Sequence, residues 1–586
     1  MPLKHPSNAL PSKMRQLPRF SLQVLSVAVL VAIVVFGTDK KPSQSGFGEI
    51  LFRDIGSKAG FHGITRSGSL QKTAVIEING SGLCWLDYDN DGLLDLYVVN
   101  GSTLEELRSS GTAPHRGTQN YLYRNNGNRT FTEVGEKAGV ASKAWGTGCA
   151  AADYNNDGFV DLFVTNVGEC RLFKNRGNGT FEDVAKQAGV KGRFNWYSGA
   201  TFGDYDNDGF LDLFVSGYLD SAQMLEPQKE CSWKGHSVYC GPPGMKGAPD
   251  VLYHSNGDGT FADVTASAGV TDKDLLFGFT ATFEDFDNDG KLDLFVANDR
   301  SRNYLYHNKG AGRFEEVGEV WGVAYPIEGI AQANMGVAVG DYDGNGFMDV
   351  LVTTFAEEHY TLFKNAGKQL FMDVSAESRI ATPTIPFLGW GASFADLDND
   401  GRLDLFTVNG HVYPQADKVA SLREKYSQRP LVFRQTASGT FAEIGQRCLP
   451  EVTIHSSRGA AYADFDNDGD LDIAYTNVDA ASSLLENISP SGNRWLTIKT
   501  VGRSSNRDGI GARVQVLAGG RKQYATVRSG ESYLSGNDPR VHLGLGAAGE
   551  AAELHVWWPS GKEEVFSKLR ANQILTLEEG TGTSAR

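Results

Sequence analysis

Several things that would define other kinds of protein are scarce in this chain. Its 586 residues include six cysteines, none of them spaced C-x-x-C, which argues against thiolate zinc. No H-E-x-x-H, no Ser/His/Asp set and no phosphate-cradling glycine loop stands out. Positive charge is in deficit: 55 basic side chains face 71 acidic ones, a formal charge of −16. A surface of that sign repels phosphate backbones, so nucleic acid is not an expected partner. Prolines number 19 against 69 glycines, and no Gly-X-Y period appears, which excludes collagen and predicts a turn-dense, β-rich chain. Aromatic residues, at 11%, are too frequent for an acidic disordered chain.

A long apolar run is also missing. The uncharged stretch from Leu22 to Gly37 falls short of the roughly 20 residues that span a bilayer. It follows Lys4, Lys13, Arg15 and Arg19, and a basic region before a short apolar segment is the pattern of an export signal. Val35-Phe36-Gly37 offers no Ala-x-Ala, and no cysteine follows the segment, so a lipid-modified cysteine is excluded. A cleaved signal and a retained single anchor both stay open. Either way residues 1–46 are an address and linker, and the bulk of the chain is expected outside the cytoplasm: secreted, periplasmic or membrane-anchored. Cys231 and Cys240, in the polar stretch CSWKGHSVYC, are expected to form a local disulfide there. Cys84, Cys149, Cys170 and Cys448 are dispersed and are left unpaired by the sequence.

What is abundant is repetition. DYDNDGLLD at 87 returns as DYNNDGFVD at 153, DYDNDGFLD at 204, DFDNDGKLD at 285, DYDGNGFMD at 341, DLDNDGRLD at 396 and DFDNDGDLD at 464. A run of small residues precedes each phrase, an apolar run follows, then an aromatic step such as LYRN, a Gly/Asn turn and a phrase such as FEDV. Short β-type runs separated by such turns read as four strands, A to D, with the acidic phrase as the A–B turn. A recurring four-stranded unit is a propeller blade. The strand-D phrase occurs at residues 52, 131, 181, 261, 314, 371 and 441, so it leads the acidic phrase by one. The N-terminal strand is therefore expected to complete the last blade. The fold class is all-β: a seven-bladed propeller over 47–488, a small β domain over 489–580 and a tail over 581–586.

Aspartates at positions 1, 3, 5 and 9 of a nine-residue turn bring oxygen ligands to one point, glycine at 6 allows the bend, and position 7 offers a carbonyl. That is the hard-oxygen chemistry of calcium. The expected ligands are Asp87, Asp89, Asp91, Leu93 and Asp95 in loop one, and Asp153, Asn155, Asp157, Phe159 and Asp161 in loop two. Loop three offers Asp204, Asp206, Asp208, Phe210 and Asp212, and loop four Asp285, Asp287, Asp289, Lys291 and Asp293. Loop five offers Asp341, Asp343, Asn345, Phe347 and Asp349, and loop six Asp396, Asp398, Asp400, Arg402 and Asp404. Loop seven offers Asp464, Asp466, Asp468, Asp470 and Asp472. Asn155 and Asn345 each remove one charge, so loops two and five are expected to bind more weakly. Up to seven structural Ca²⁺ are implied, enough to cancel most of the surplus acidity. Four carboxylates converging without a counter-ion would repel strongly.

These repeats resemble the FG-GAP/VCBS repeats of integrin-α-type propellers. The stretch CSWKGHSVYCGPPGMKGAPDVLY (231–253) resembles a signature of the cartilage acidic protein family. SNRDGIGARVQV (505–516), VHLGLG (541–546) and VWWPSGK (556–562) resemble the ASPIC/UnbV domain. The resemblance implies a secreted or surface calcium-binding protein engaged in extracellular binding or adhesion.

Calcium loops and C–D turns share one face; the long B–C insertions and the D–A segments share the other. That second face is expected to hold an extracellular or surface ligand, protein or glycan, with Trp145, Trp196, Tyr197, Asn334, Trp390, His411, Tyr413, His455 and Arg458 as candidates. No residue is singled out as catalytic, because catalysis needs one unequal carboxylate pair and these recur in every blade. The alternatives are a lyase-like polysaccharide-active enzyme using the same face, and an assembly scaffold acting through the C-terminal domain. Sequons at Asn79, Asn100, Asn128, Asn178 and Asn487 carry little weight, since two of them fall in C–D turns.

Overall fold

The computed structural model describes residues 49–109, 118–220, 223 and 230–584. The expected export segment lies outside the described residues. Seven four-stranded antiparallel units follow one another along the chain. In blade one Leu83–Leu86, Asp95–Val98, Tyr121–Asn125 and Phe131–Glu133 run from the centre outwards. The innermost strands of blades two to seven are Trp145–Ala152, Asn195–Gly203, Phe277–Glu284, Val337–Gly340, Gly389–Ala395 and Ser457–Ala463. Blade seven takes its outermost strand from the other end of the chain: Phe52–Asp54 pairs with Ser483–Asn487, Phe52 opposite Asn487 and Asp54 opposite Leu485. The one-unit displacement of the strand-D phrase is this closure. Blades two and three are further joined at Asn195–Gly168 and Trp196–Val167 into one continuous sheet.

The recurring motifs have local physical causes. The run of small residues before each acidic phrase lets innermost strands approach: a Cβ at Gly336 would meet the Trp390 carbonyl at 1.9 Å. The asparagine that ends LYRN-type steps is a staple between blades. Asn125 Nδ2 donates to the Phe465 carbonyl of the preceding blade at 2.8 Å, and Asn175, Asn308, Asn365 and Asn487 make the same bond to Tyr88, Tyr205, Phe286 and Leu397. Gln435 takes this place in blade six, bonding Tyr342. Buried amide bonds of this kind fix the angle between sheets as well as stabilising them.

After residue 490 the chain forms a two-sheet unit. Arg494–Val501 lies between Val541–Gly546 and, in parallel, Ile574–Glu578. The second sheet runs Arg521–Thr526, Arg513–Ala518, Glu550–Trp557, Glu563–Arg570 and Thr583–Ser584, so strand pairing extends beyond residue 580. Leu496, Ile498, Val514, Val516, Leu554 and Val556 make the core between the sheets.

Candidate metal centres and the two faces of the ring

All seven acidic loops adopt one geometry. The position-1 carboxylate accepts from the main-chain N–H groups of positions 5 and 6: Asp91 and Gly92 to Asp87 at 3.1 Å each, and likewise Asp153, Asp204, Asp285, Asp341, Asp396 and Asp464 in their own loops. The position-5 side chain accepts from the N–H of position 7, which places Leu93, Phe159, Phe210, Lys291, Phe347, Arg402 and Asp470. The position-9 carboxylate is the deepest and accepts from strand C: Asp95 from Asn125 at 2.8 Å, Asp161 from Asn175 at 2.7 Å, Asp472 from Asn487 at 2.8 Å.

The oxygens left over suit a hard cation. One oxygen each from Asp87, Asp89 and Asp95 lie within 4.8 Å of one another, as do those of Asp204, Asp206 and Asp212. At position 3 the Oδ1 atoms of Asp89, Asp287, Asp398 and Asp466 are buried and bond no protein group. Buried oxygens normally find a partner. Burial pushes the Asp95 carboxyl up to about 8, Asp204 to about 8 and Asp161 to about 9, desolvation outweighing the hydrogen bonds they accept. A divalent cation would supply the missing counter-charge. Loop two differs at position 3, where Asn155 turns its amide nitrogen towards Asp161 at 3.1 Å.

The loops are not without counter-ions, which corrects the expectation from charge repulsion. The third residue of the LYRN-type step is basic in six blades and reaches its own loop. Arg124 bonds Asp89 at 2.7 Å and Asp91 at 2.9 Å; Lys174 reaches Asp157, Lys364 Asp343, and Arg434 Asp398. His254 and His307 lie 3.0 Å from Asp212 and Asp293. In blade seven the place is taken by Glu486, and Arg129 from the neighbouring turn bonds both Asp466 at 2.7 Å and Glu486 at 2.9 Å. The arginines and lysines engage outer oxygens at positions 3 and 5 and leave the inner position-3 oxygens free, whereas the two histidines bond the deep position-9 carboxylates.

Position 4 carries a second, unforeseen role. Asn90 donates its amide to the position-6 carbonyl of the next loop, Gly158, at 2.9 Å. Asn156 does the same to Gly209, Asn207 to Gly290, Asn288 to Gly346, Asn399 to Gly469, and Asn467 back to Gly92. These asparagines hold φ of 57–60°, left-handed backbone that Asn tolerates. Loop five has Gly344 there, which leaves Gly401 without its asparagine. Arg521 of the C-terminal domain donates to that carbonyl instead, at 3.0 Å.

Arg521 is one of many contacts by which the C-terminal domain covers this face. Arg513 donates to Gly346 O at 2.6 Å, Arg540 to Asp464 O at 2.8 Å, and Asn493 to Asp398 O at 2.8 Å. Asp508 accepts from Asp153 N–H at 2.7 Å, and Arg507 N–H donates to Asn156 at 2.8 Å. Residues 527–540 then enter the ring and touch every blade. Gly536 bonds Trp85 and Leu83; Leu534 O accepts from Cys149 N–H; Ser529 bonds Phe202; Arg528 pairs with Glu284. Ser532 exchanges main-chain bonds with Val337 and accepts from Ala392 N–H, and Asp538 N–H donates to Tyr462 O.

That insertion explains the largest departure from expectation. Trp145, Trp196, Tyr197, Asn334, Trp390, His411 and Arg458 are buried, while Tyr413 and His455 are half-buried. They pack the centre instead of lining an open channel. The Arg458 guanidinium lies over Trp390 at 4.2 Å and donates to Ile78 O at 2.7 Å; the Tyr533 ring is 4.8 Å from Trp390. Asn334 is spent on Asn298 O and Ser301 O at 3.1 Å. On the side away from the loops the hairpin Glu230–Trp233 and His236–Tyr239, closed by Cys231–Cys240, crosses to blade six. Its Trp233 is 4.7 Å from His411, and Tyr239 is 4.9 Å from Tyr413. Cys84 and Cys149 form a second disulfide between the innermost strands of blades one and two; Cys170 and Cys448 are buried thiols. Asn79, Asn100 and Asn487 are buried, so of the five sequons Asn128 and Asn178 are the ones at the surface.

Comparison with known proteins agrees with this division. Residues 502–584 match the ASPIC and UnbV family model, and 87–164, 153–215, 285–352 and 416–475 match the FG-GAP-like repeat. Cartilage acidic protein 1 of Mus musculus is 28% identical over 324 residues, covering 54% of this chain and 46% of that protein. The same protein of Xenopus tropicalis is 27% identical over 305 residues, 50% and 43% respectively. The chain thus spans just under half the length of the curated relatives it matches. Among solved structures, an Agrocybe aegerita lectin described as recognising non-reducing terminal N-acetylglucosamine aligns at TM-score 0.35 and 16% identity, over 74% of this chain and 96% of that one. The chain is thus an all-β propeller whose blades match the FG-GAP-like repeat, followed by a domain that matches ASPIC and UnbV.

Proposed function

We propose that the protein is an exported, calcium-stabilised propeller that binds an extracellular or cell-surface partner, protein or glycan, through the face opposite the acidic loops. Export is supported by the two disulfides and by the likeness to a protein named for cartilage. Calcium is supported by the buried, unpartnered Oδ1 atoms at position 3 of four loops.

One observation carries the choice of face. Leu70, Phe194, Ile327, Ile330, Ile385 and Ile454 are all exposed, Leu70 at 73% and Ile327 at 79%. All six lie on connections from the outermost strand of one blade to the innermost strand of the next. The loop face, by contrast, is partly covered by the chain's own C-terminal domain, and of the large apolar side chains in its C–D turns Leu370 is exposed. Apolar side chains held at the rim of a rigid scaffold are what a docking surface needs. The test is a glycan and surface-protein array probed in calcium, wild type against Phe194→Ser and the pair Ile327→Asp, Ile330→Asp. Loss of a specific signal in these variants with an unchanged melt supports the assignment. Loss confined to variants on the loop face would refute it.

A further inference from the structure

The C-terminal domain does not cover the loops evenly. Loops two, five, six and seven take hydrogen bonds from it, whereas among the described residues loops one, three and four take none. Between loops one and two and the domain there is a cavity of 480 Å³, within the 300–1,000 Å³ range of small-molecule sites. Its walls are aliphatic on both sides: Leu86, Leu94 and Val160 from the propeller, Ile510 and Ile574 from the C-terminal domain. Most polar groups at its edge are already spent. Asn90 holds Gly158, Ser529 holds Phe202, Arg528 holds Glu284 and Arg540 holds Asp538. Lys499, Arg507 and Thr576 also line it, and their side chains bond no group among the described residues. Lys499 and Arg507 are thus cations of the lining without a hydrogen-bond partner, set beside the carboxylates of Asp87 and Asp508, which act on them through space.

We propose that this cavity is a binding site for a small carboxylate with an apolar body, its head held by Lys499 and Arg507 and its tail against Leu94, Val160 and Ile510. Asp87, Asp153 and Asp508 also line the cavity; the first two would repel an anion unless a cation occupies their loops, while Asp508 is held by the Asp153 N–H with Lys499 and Arg507 beside it. The assignment therefore rests on the calcium reading, and it concerns a different face from the partner surface proposed above. Arg507 and Asp508 divide the labour within one turn: Asp508 docks the domain on loop two through Asp153 N–H, and Arg507 is left to face the ligand.

The experiment is calorimetric titration of the calcium-loaded full chain with octanoate and, as the neutral isostere, octanamide. Octanoate should bind and octanamide should bind roughly tenfold more weakly or not at all, as expected for loss of a charge-assisted bond. Arg507→Gln and Lys499→Gln should each weaken octanoate by about the same factor, while Lys522→Gln, at the cleft over loops five and six, should leave it unchanged. Equal affinity for octanoate and octanamide, or an equal loss in Lys522→Gln, overturns the assignment. Calcium uptake is measured on the same sample. Calcium uptake without octanoate binding overturns the cavity site alone; absence of calcium uptake overturns the loop reading and this one with it.

Discussion

Arg521 Nη1 donates to the Gly401 carbonyl at 3.0 Å, occupying the place that an asparagine fills between every other pair of consecutive loops. The loop circle is thus closed by a residue of a different domain, because loop five carries Gly344 where its counterparts carry asparagine. Arg521→Ala should lower stability by about 1 kcal/mol, the usual net worth of such a bond, with faster hydrogen exchange in loop six. Gly344→Asn should restore it: the position has φ of 72°, and a Cβ there meets nothing nearer than 3.8 Å. A double variant no more stable than Arg521→Ala would show that the two groups do not substitute for each other.

Chelation should lower the melting temperature markedly, and restoring calcium should reverse the change. Asn155→Asp and Asn345→Asp return the missing charge to loops two and five, so each should raise the melting temperature further in calcium while lowering it in chelator. A melt indifferent to chelator would remove calcium from the account.

Tyr533 stands at the middle of the ring, its ring 4.8 Å from Trp390 and 5.5 Å from Phe279, its hydroxyl donating to Asn79 O. Tyr533→Ala should destabilise the protein by about 3–5 kcal/mol, the range for deleting a buried aromatic. Exchange should rise in the innermost strands of the propeller as well as in the C-terminal domain. Protection lost in the domain alone would mean that the inserted segment does not support the blades.

Acid should loosen the disulfide-closed hairpin through His411. Burial holds its imidazole down at about 3, with Arg458 nearby adding to the effect, while Nδ1 accepts from Tyr413 N–H at 3.0 Å. Unfolded, the same group takes a proton near 6.5. The unfolded chain therefore binds more protons between these values, and stability falls as pH drops from 6.5 towards 3. His411→Gln should flatten the urea-midpoint difference between pH 7 and pH 5. An unchanged slope would assign the acid sensitivity to other groups.

The parts of this molecule that were legible in its sequence are those made by local spacing. Gly92 and its counterparts marked the loops, and the early Phe52 phrase announced where the ring closes. Cys231 and Cys240 lie on facing strands of one hairpin and could be paired by eye. Cys84 and Cys149 are 65 residues apart, and their pairing follows from two innermost strands lying side by side. Trp196 and Arg458 are buried at the centre for a related reason. Nothing in SGESYLSGNDP marks it as a segment that fills a ring, though the apolar Tyr533-Leu534 in so polar a stretch was a signal. The basic residues of the aromatic step, Arg124 to Arg434, recur at one strand position, but strand spacing alone does not show that they reach back to the loops.

Residues 527–540 follow the blade strands Leu83–Asn487 in the chain, and among the described residues they are the segment that bonds all seven blades. A protein made and released from its N-terminus therefore builds its walls around a hollow and receives its keystone last. The strand Phe52–Asp54, the earliest among the described residues, likewise waits for Ser483–Asn487 before it has its neighbour. A chain broken off before residue 527 would have all the blade sequences but no stopper, leaving Trp390, Phe279 and the Cys84–Cys149 bridge open to water. Completeness of synthesis is in this way written into the packing at the axis, where a truncated product would betray itself by what it fails to cover.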